Sequence, residues 1–142
     1  MLIDLKERLD DAEVKEVLEY CVYPDPEKLE AAIEAYKADP GLELYGHEEE
    51  GELIGVAGFR MDSEGQLNIE HIAVAPNHRG LGYGRGLILE TIEIKSPAII
   101  VAETDEESVN FYRSIGFEIE SLGEIYPGVE RFKCIYTVEP EE

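Results

Sequence analysis

A glycine-rich segment at residues 79–85 has the composition of a loop that binds an anion. Its sequence is RGLGYGR, with glycine at every second position. Glycine lets the backbone approach a ligand closely, and the free N–H groups at the start of a following helix bind phosphate oxygens. The chain has 33 acidic residues, yet none lies within residues 71–89, which include Arg79, Arg85 and His78. The segment therefore predicts a phosphate-binding turn.

The glycine spacing distinguishes between three kinds of phosphate-binding loop. A Walker loop requires GK[ST], which is absent. A dinucleotide-binding loop requires GxGxxG, but Leu87 stands where the third glycine belongs after Gly82 and Gly84. In the other register Arg85 stands there. What remains is Arg79 at the first place with glycines at the fourth and sixth, and a glycine turn without function is the alternative.

This pattern resembles the R/Q-x-x-G-x-G/A pyrophosphate loop of the GNAT acetyltransferases. IEHIAVAPNHRGLGYG at residues 69–84 resembles the fourth strand and loop of that family, and DEESVNFYRSIGF at residues 105–117 resembles its later helix ending in FYxxxGF. The resemblance implies the GNAT acyl-CoA N-acyltransferase fold, a mixed α/β structure in which about four helices flank a mostly antiparallel central sheet of about seven strands. It also implies acetyl-CoA as the co-substrate.

The resemblance assigns coenzyme contacts to two stretches of backbone. The main chain of Ile72, Ala73 and Val74 would bind the pantetheine arm where the strand separates from its neighbour, because unpaired N–H and C=O groups can satisfy a ligand amide. Asp105 stands at a coenzyme-contacting position where many family members have asparagine. The residues that would contact the pyrophosphate are Arg79, Gly80, Leu81, Gly82, Tyr83, Gly84 and Arg85.

Direct acetyl transfer to a primary amine requires a base for the ammonium proton, and Glu70 is the candidate. It lies two residues before Ile72, on the face of the strand that Asn68 shares, and resembles the family's basic or water-orienting positions. Because a carboxylate is a much weaker base than an amine, Glu70 would act through water or after burial makes it more basic. A salt-bridging carboxylate is the alternative, and Glu103 is a rival base.

Tyr112 is the candidate acid for the leaving thiolate. It occupies the tyrosine position of FYxxxGF, which in the family brings a hydroxyl to the coenzyme sulfur, and the backbone N–H of Val74 would polarise the acetyl carbonyl. A core aromatic beside Val109 and Ile115 is the alternative. A different acyl-CoA donor also remains open, as does a non-catalytic acyl-CoA sensor, which would not need Tyr112 and Glu70.

The remaining histidines and cysteines predict neither a metal site nor a nucleophile. His71 alternates to the face opposite Glu70 and is predicted to pack, whereas His47 and His78 are predicted to be isolated and solvent-facing. The two cysteines lack CxxC spacing and are predicted to be buried thiols: Cys21 and Cys134.

The whole chain has 142 residues, which predicts a single domain at residues 1–142. Its formal net charge of −21 disfavours nucleic acid and favours cationic partners. The acceptor that the family resemblance implies is a small-molecule or peptide amine. The apolar stretches are far shorter than the roughly 18 residues of a membrane span, and the first 15 residues do not resemble a signal peptide. A cytoplasmic monomer or homodimer is expected.

Hydrophobic periodicity predicts the order β, αα, βββ, α, β, α, ββ for the elements that position these residues. The strands are expected at residues 1–5, 42–45, 53–59, 67–75, 98–102, 117–121 and 131–138. Helices are expected after caps at Asp11, Asp25 and Asp105, and the last of these ends at Gly116. Residues 80–95 are expected to form a glycine-rich turn that leads into a further helix.

Overall fold

The computed structural model describes residues 2–22 and 25–138. Their seven strands are β1 Leu2–Asp4, β2 Leu42–Glu49, β3 Glu52–Met61, β4 Gln66–Val74, β5 Ile99–Asp105, β6 Glu118–Tyr126 and β7 Val129–Thr137. Their four α-helices are α1 Ala12–Val22, α2 Pro26–Ala38, α3 Tyr83–Lys95 and α4 Val109–Ile115. The predicted mixed α/β architecture and the order of its elements are confirmed. The predicted strand residue Met1 lies outside the described residues.

The β2–β3 hairpin is longer than the hydrophobic pattern predicts. β2 continues through Glu49 instead of ending at residue 45, and Glu49 pairs with Glu52. Only Glu50 and Gly51 form the turn, with φ values of 51° and 80°, as expected for a two-residue hairpin turn. Since backbone pairing and not side-chain hydrophobicity extends the strand, the sequence pattern ended it too early.

The predicted cap of α4 is wrong. Asp105 is the last residue of β5, and its carboxylate accepts a hydrogen bond from the Ser108 backbone N–H at 3.1 Å. That bond closes a three-residue turn, and Ser108 is the N-cap of the helix. The predicted end of α4 is confirmed, because Gly116 has the left-handed φ of 114°.

The described residues group into two compact units, so the single-domain organisation stays a prediction. The first unit comprises the chain up to Arg60 together with Glu70–Ser96. In it β1 pairs antiparallel with β2, and β2 with β3. Apolar side chains of α1 and α2 form its core with residues of β2 and β3, including Val14, Leu18, Ile33, Tyr36, Leu44 and Val56.

The second unit comprises Met61–Ile69 and the chain from Pro97 onward. The start of β4 runs parallel to β5, with Gln66–Asn68 opposite residues 99–101. β5 and β6 both pair antiparallel with β7. The strand pairing that these residues show is thus antiparallel except between β4 and β5.

Helix α2 is fixed at both ends by charged side chains. Asp25 accepts hydrogen bonds from the backbone N–H groups of Glu27 and Lys28, and Pro26 follows it at the first helical position. At the other end the Lys6 ammonium donates to the carbonyl oxygens of Tyr36, Asp39 and Leu42. The bond to Tyr36 satisfies one of the last carbonyls of the helix, and the bonds to Asp39 and Leu42 connect the helix end to the start of β2.

We predict that Gly58→Ala destabilises the fold by about 1–3 kcal/mol, because a Cβ at Gly58 would lie only 1.7 Å from the buried Tyr36 hydroxyl. Urea unfolding measures the loss. Gly86→Ala is the matched control, because its Cβ meets nothing within 4 Å and alanine is the better helix former. Equal stability of the two variants would contradict the prediction.

Candidate active site

The second half of β4, in the first unit, carries the candidate base and the predicted pantetheine-binding residues. Glu70 is exposed, whereas His71 and the predicted pantetheine-binding stretch Ile72, Ala73 and Val74 are half-buried. A hydrogen bond of 2.7 Å joins Nδ1 of His71 to the Tyr36 hydroxyl. His71 therefore packs, as predicted, but it also belongs to a buried polar pair that its sequence position does not reveal.

The pair has a defined protonation state. Burial lowers the pKa of His71, which the nearby Glu70 charge opposes. Burial, followed by the Cys21 and Glu70 charges, raises the pKa of the Tyr36 hydroxyl. Both groups are therefore neutral near pH 7, and the hydrogen bond joins an uncharged hydroxyl to an uncharged imidazole.

Cys21 is a site residue that the sequence does not reveal. It is a free, half-buried cysteine on α1 and has a backbone hydrogen bond with Ile72. Burial raises the pKa of its thiol to about 12, against the effect of that hydrogen bond. A thiol with this pKa is almost fully protonated near neutral pH, and the thiol form is a poor nucleophile. The other cysteine, Cys134, is free and buried as predicted.

Arg79 connects the end of β4 with the glycine loop. Its Nε–H donates to the carbonyl oxygen of Val74 over 2.9 Å, and its guanidinium lies 5.4 Å from the centre of the Tyr20 ring. The guanidinium thus lies next to the stretch that the sequence predicts for pantetheine. Its side chain is exposed, so it can turn toward an anion at the loop.

The glycine loop has the conformation that a phosphate site requires. Gly80 and Gly82 have left-handed φ values of 78° and 88°, and a Cβ at either would meet nothing within 4 Å. Gly82 is the N-cap of α3, whose first hydrogen bond runs from the Gly86 N–H to the Gly82 carbonyl over 3.0 Å. The preceding N–H groups of the first helical turn therefore face outward as donors to an anion. Of the other predicted contacts, Leu81 and Arg85 are exposed and Gly84 is half-buried.

The prediction that His47 and His78 are isolated and solvent-facing is wrong. Their side chains are 16% and 23% exposed, and both rings pack against Tyr83, at centroid distances of 5.5 and 5.9 Å. His47 pairs with Glu49, and His78 with Glu52. The sequence pattern missed this cluster because the longer β2–β3 hairpin brings distant residues to the loop.

The second unit contains the other predicted site residues. Tyr112 is only 5% exposed and packs edge-on against Phe111 and Phe117, at centroid distances of 5.0 and 5.2 Å. Asp105 closes the turn before α4, and the rival base Glu103 is exposed on β5. The role of the Tyr112 hydroxyl stays a prediction, as do the coenzyme contact of Asp105 and the separation of β4 from its neighbour.

Two further features bear on the chemistry that the described residues allow. In residues 2–22 and 25–138, no group of three or more His, Cys, Asp or Glu side chains is arranged to hold a metal ion. Over the same ranges, no helix has the length and hydropathy of a membrane-spanning segment.

Solved structures of acetyltransferases share this fold. A Desulfovibrio desulfuricans protein assigned to the GNAT family of acetyltransferases superposes with a TM-score of 0.81 at 23% identity, covering 96% of this chain and 98% of that one. An aminoglycoside 6′-N-acetyltransferase in complex with coenzyme A superposes with a TM-score of 0.75 at 15% identity, covering 100% of this chain and 99% of that one. The chain therefore has the fold of these acetyltransferases.

Sequence relatives identify the family. The model of the acetyltransferase (GNAT) family matches residues 9–117, so the chain belongs to the GNAT acetyltransferases. An uncharacterised N-acetyltransferase of Bacillus methanolicus is 31% identical over 64 residues, 45% of this chain and 53% of that protein. The glucosamine 6-phosphate N-acetyltransferase of Trypanosoma brucei brucei is 29% identical over 83 residues, 52% of this chain and 56% of that protein. The chain thus spans about half the length of these curated relatives.

We predict that Gly82→Asp weakens acetyl-CoA binding about tenfold or more, because it places a carboxylate at the start of α3, where the pyrophosphate would approach. Titration calorimetry measures the dissociation constant. Gly128→Asp is the matched control, since Gly128 has a φ of 81° and a Cβ there also meets nothing within 4 Å. The control should lose similar stability yet bind acetyl-CoA normally; equal affinities of the two variants would count against the loop.

Proposed function

We propose that this protein is an N-acetyltransferase that transfers an acetyl group from acetyl-CoA to a primary amine by direct attack. The observation that supports this most is the loop at residues 79–85, in which the left-handed Gly80 and Gly82 open the N-terminus of α3 between Arg79 and Arg85. This geometry fits a pyrophosphate, and membership of the acetyltransferase family supplies the reaction class.

In this proposal the acceptor nitrogen attacks the thioester carbon, a C–N bond forms and the C–S bond breaks. The amine proton leaves to a base, and the coenzyme thiolate takes up a proton. The state of Cys21 supports direct attack over an acyl-cysteine intermediate, because its raised pKa keeps it a thiol. The backbone N–H of Val74 is the proposed donor to the acetyl carbonyl.

Glu70 is the proposed base. Because its carboxylate is exposed, we propose that it orients a water that accepts the amine proton, and the alternative of a carboxylate made more basic by burial loses its support. His71 is a weaker candidate, since its Nδ1 is already hydrogen-bonded to the Tyr36 hydroxyl and burial lowers the pKa of its ring. Glu103 remains the rival.

The acceptor is proposed to be a small-molecule or peptide amine. The net charge of −21 attracts cations, which fits an ammonium substrate and disfavours nucleic acid or anionic membrane as a partner. We propose that the protein acts in the cytoplasm as a monomer or homodimer.

Assaying a panel of amines for coenzyme A release tests the function: acetyl-CoA binding with no turnover of any amine would indicate a sensor. Repeating it with other acyl-CoA donors identifies the acyl group.

We predict that Glu70→Gln lowers kcat/KM about tenfold to a hundredfold at neutral pH and recovers part of the loss at high pH, where the free amine accumulates. The measurement is a pH–rate profile with the best amine of the panel. Glu93→Gln, which removes an exposed carboxylate from α3, is the control for net charge and should match the parent. A parental profile for Glu70→Gln would transfer the role to Glu103 or to solvent.

We predict that Tyr112→Phe lowers kcat about tenfold to a thousandfold while acetyl-CoA affinity and melting temperature change little, because the ring packing against Phe111 and Phe117 is kept. Kinetics and calorimetry on one preparation separate these effects. Tyr136→Phe removes another hydroxyl beside Phe117 and should retain full kcat. Full kcat in Tyr112→Phe, or activity lost through unfolding alone, would make Tyr112 a core residue.

A further inference from the structure

The tip of the β2–β3 hairpin is bonded to the first residue of α3. The Tyr83 hydroxyl donates to Glu49 Oε2 over 2.7 Å. The other oxygen of that carboxylate, Oε1, lies 3.1 Å from Nε2 of His47, which is two residues earlier on β2. One carboxylate therefore joins the hairpin to the helix whose N-terminus follows the glycine loop.

Ring contacts extend this connection on both sides of Tyr83. The His47 ring lies on one side, and its Nδ1 is 3.4 Å from Glu90 Oε2 on α3. The His78 ring meets Tyr83 edge-on, and its Nε2 is 3.2 Å from Glu52 Oε1 on β3. We call the group Glu49, His47, Tyr83, His78 and Glu52 the hairpin clasp.

The clasp is unexpected on electrostatic grounds. It brings Glu49 and Glu52 to a loop for which we propose a pyrophosphate ligand, although negative charges at such a site weaken anion binding. Glu49 is the carboxylate most tied to the loop: the Tyr83 hydrogen bond, followed by that from His47, lowers its pKa. Glu49 is exposed, so burial adds little strength to its hydrogen bonds with Tyr83 and His47.

We infer that Glu49 is a positioning residue that holds Tyr83, and with it the first turn of α3, in the conformation that binds the coenzyme pyrophosphate. This inference rests on the proposed function. Glu49 contacts no coenzyme atom in it; it acts through the Tyr83 hydroxyl. The first-turn N–H groups of α3 stay directed at the anion only while Tyr83 is fixed. The affinity gained through the Tyr83–Glu49 hydrogen bond therefore exceeds the affinity lost through repulsion between the Glu49 charge and the anion.

The direction in which Glu49→Ala changes the acetyl-CoA affinity distinguishes this role from a purely electrostatic one. If Glu49 were only a negative charge near an anion site, Glu49→Ala would tighten acetyl-CoA binding. As a positioning residue, Glu49→Ala should weaken binding about threefold to tenfold, and Tyr83→Phe should also weaken it, because both variants lose the hydrogen bond between these two side chains. Glu49→Gln should stay within about twofold of the parent, since its amide oxygen still accepts from Tyr83.

Titration calorimetry with acetyl-CoA measures these affinities, and a double-mutant cycle tests whether the two residues act through one bond. The double variant should bind no more weakly than either single variant. Glu93→Ala removes a carboxylate about 15 Å further along α3 and should leave affinity unchanged. Tighter or unchanged binding by Glu49→Ala, or additive losses in the double variant, would overturn the inference.

Amide hydrogen exchange of the protein without ligand supplies a readout independent of the coenzyme. The Gly86 N–H, which makes the first hydrogen bond of α3, should exchange faster in Glu49→Ala and Tyr83→Phe, while amides of residues 42–46 on β2 keep the parental rate. Unchanged Gly86 exchange would refute the positioning role. If the parent itself failed to bind acetyl-CoA, the proposed function would be wrong, while the exchange rates would still report on the clasp.

Discussion

The left-handed backbone at Gly82 is the constraint on which the candidate site depends. With a φ of 88°, it ends the loop and begins α3 with no side-chain cap, so the first-turn N–H groups are left for a ligand and not bonded to a serine or aspartate. A side chain at this residue would be strained even though space is open, and a capping side chain would compete with the anion. The helix thus lacks a local cap at the point where a pyrophosphate can supply the missing acceptors.

The hydrogen-bonded pair of Tyr36 and His71 limits the acid–base chemistry that is available beside β4. The Tyr36 hydroxyl, which bonds His71, occupies the space that a Cβ at Gly58 would fill, and burial keeps both groups neutral. Cys21 lies beside Ile72 as a protonated thiol for the same physical reason. The His71 ring and the Cys21 thiol are therefore a weak base and a poor nucleophile, which supports the proposal that the exposed Glu70 acts through water.

Acidic residues are absent from the loop segment of the sequence, but the structure brings two of them next to it. Residues 71–89 contain no acid, which indicates an anion site. The β2–β3 hairpin nevertheless brings Glu49 to Tyr83 and Glu52 to His78. Each of these carboxylates has a hydroxyl or imidazole partner, and such partners offset part of the repulsion that an acid near a phosphate site would cause. The local sequence thus provides an acid-free segment with two arginines, and the tertiary structure adds side-chain partners from the hairpin.

The sequence by itself determined the features that depend on neighbouring residues. The order of strands and helices follows from hydrophobic periodicity, the α2 cap from Asp25 and Pro26, and the turn before α3 from its glycines, because dihedral preferences and capping act within a few residues. Only the tertiary structure decided which distant groups meet. Tyr36 and His71 are 35 residues apart, and Glu49 and Tyr83 are 34 apart, so no local pattern links them. The hairpin length and the turn at Asp105 were likewise set by backbone pairing and a side-chain bond, which hydrophobic patterns do not record.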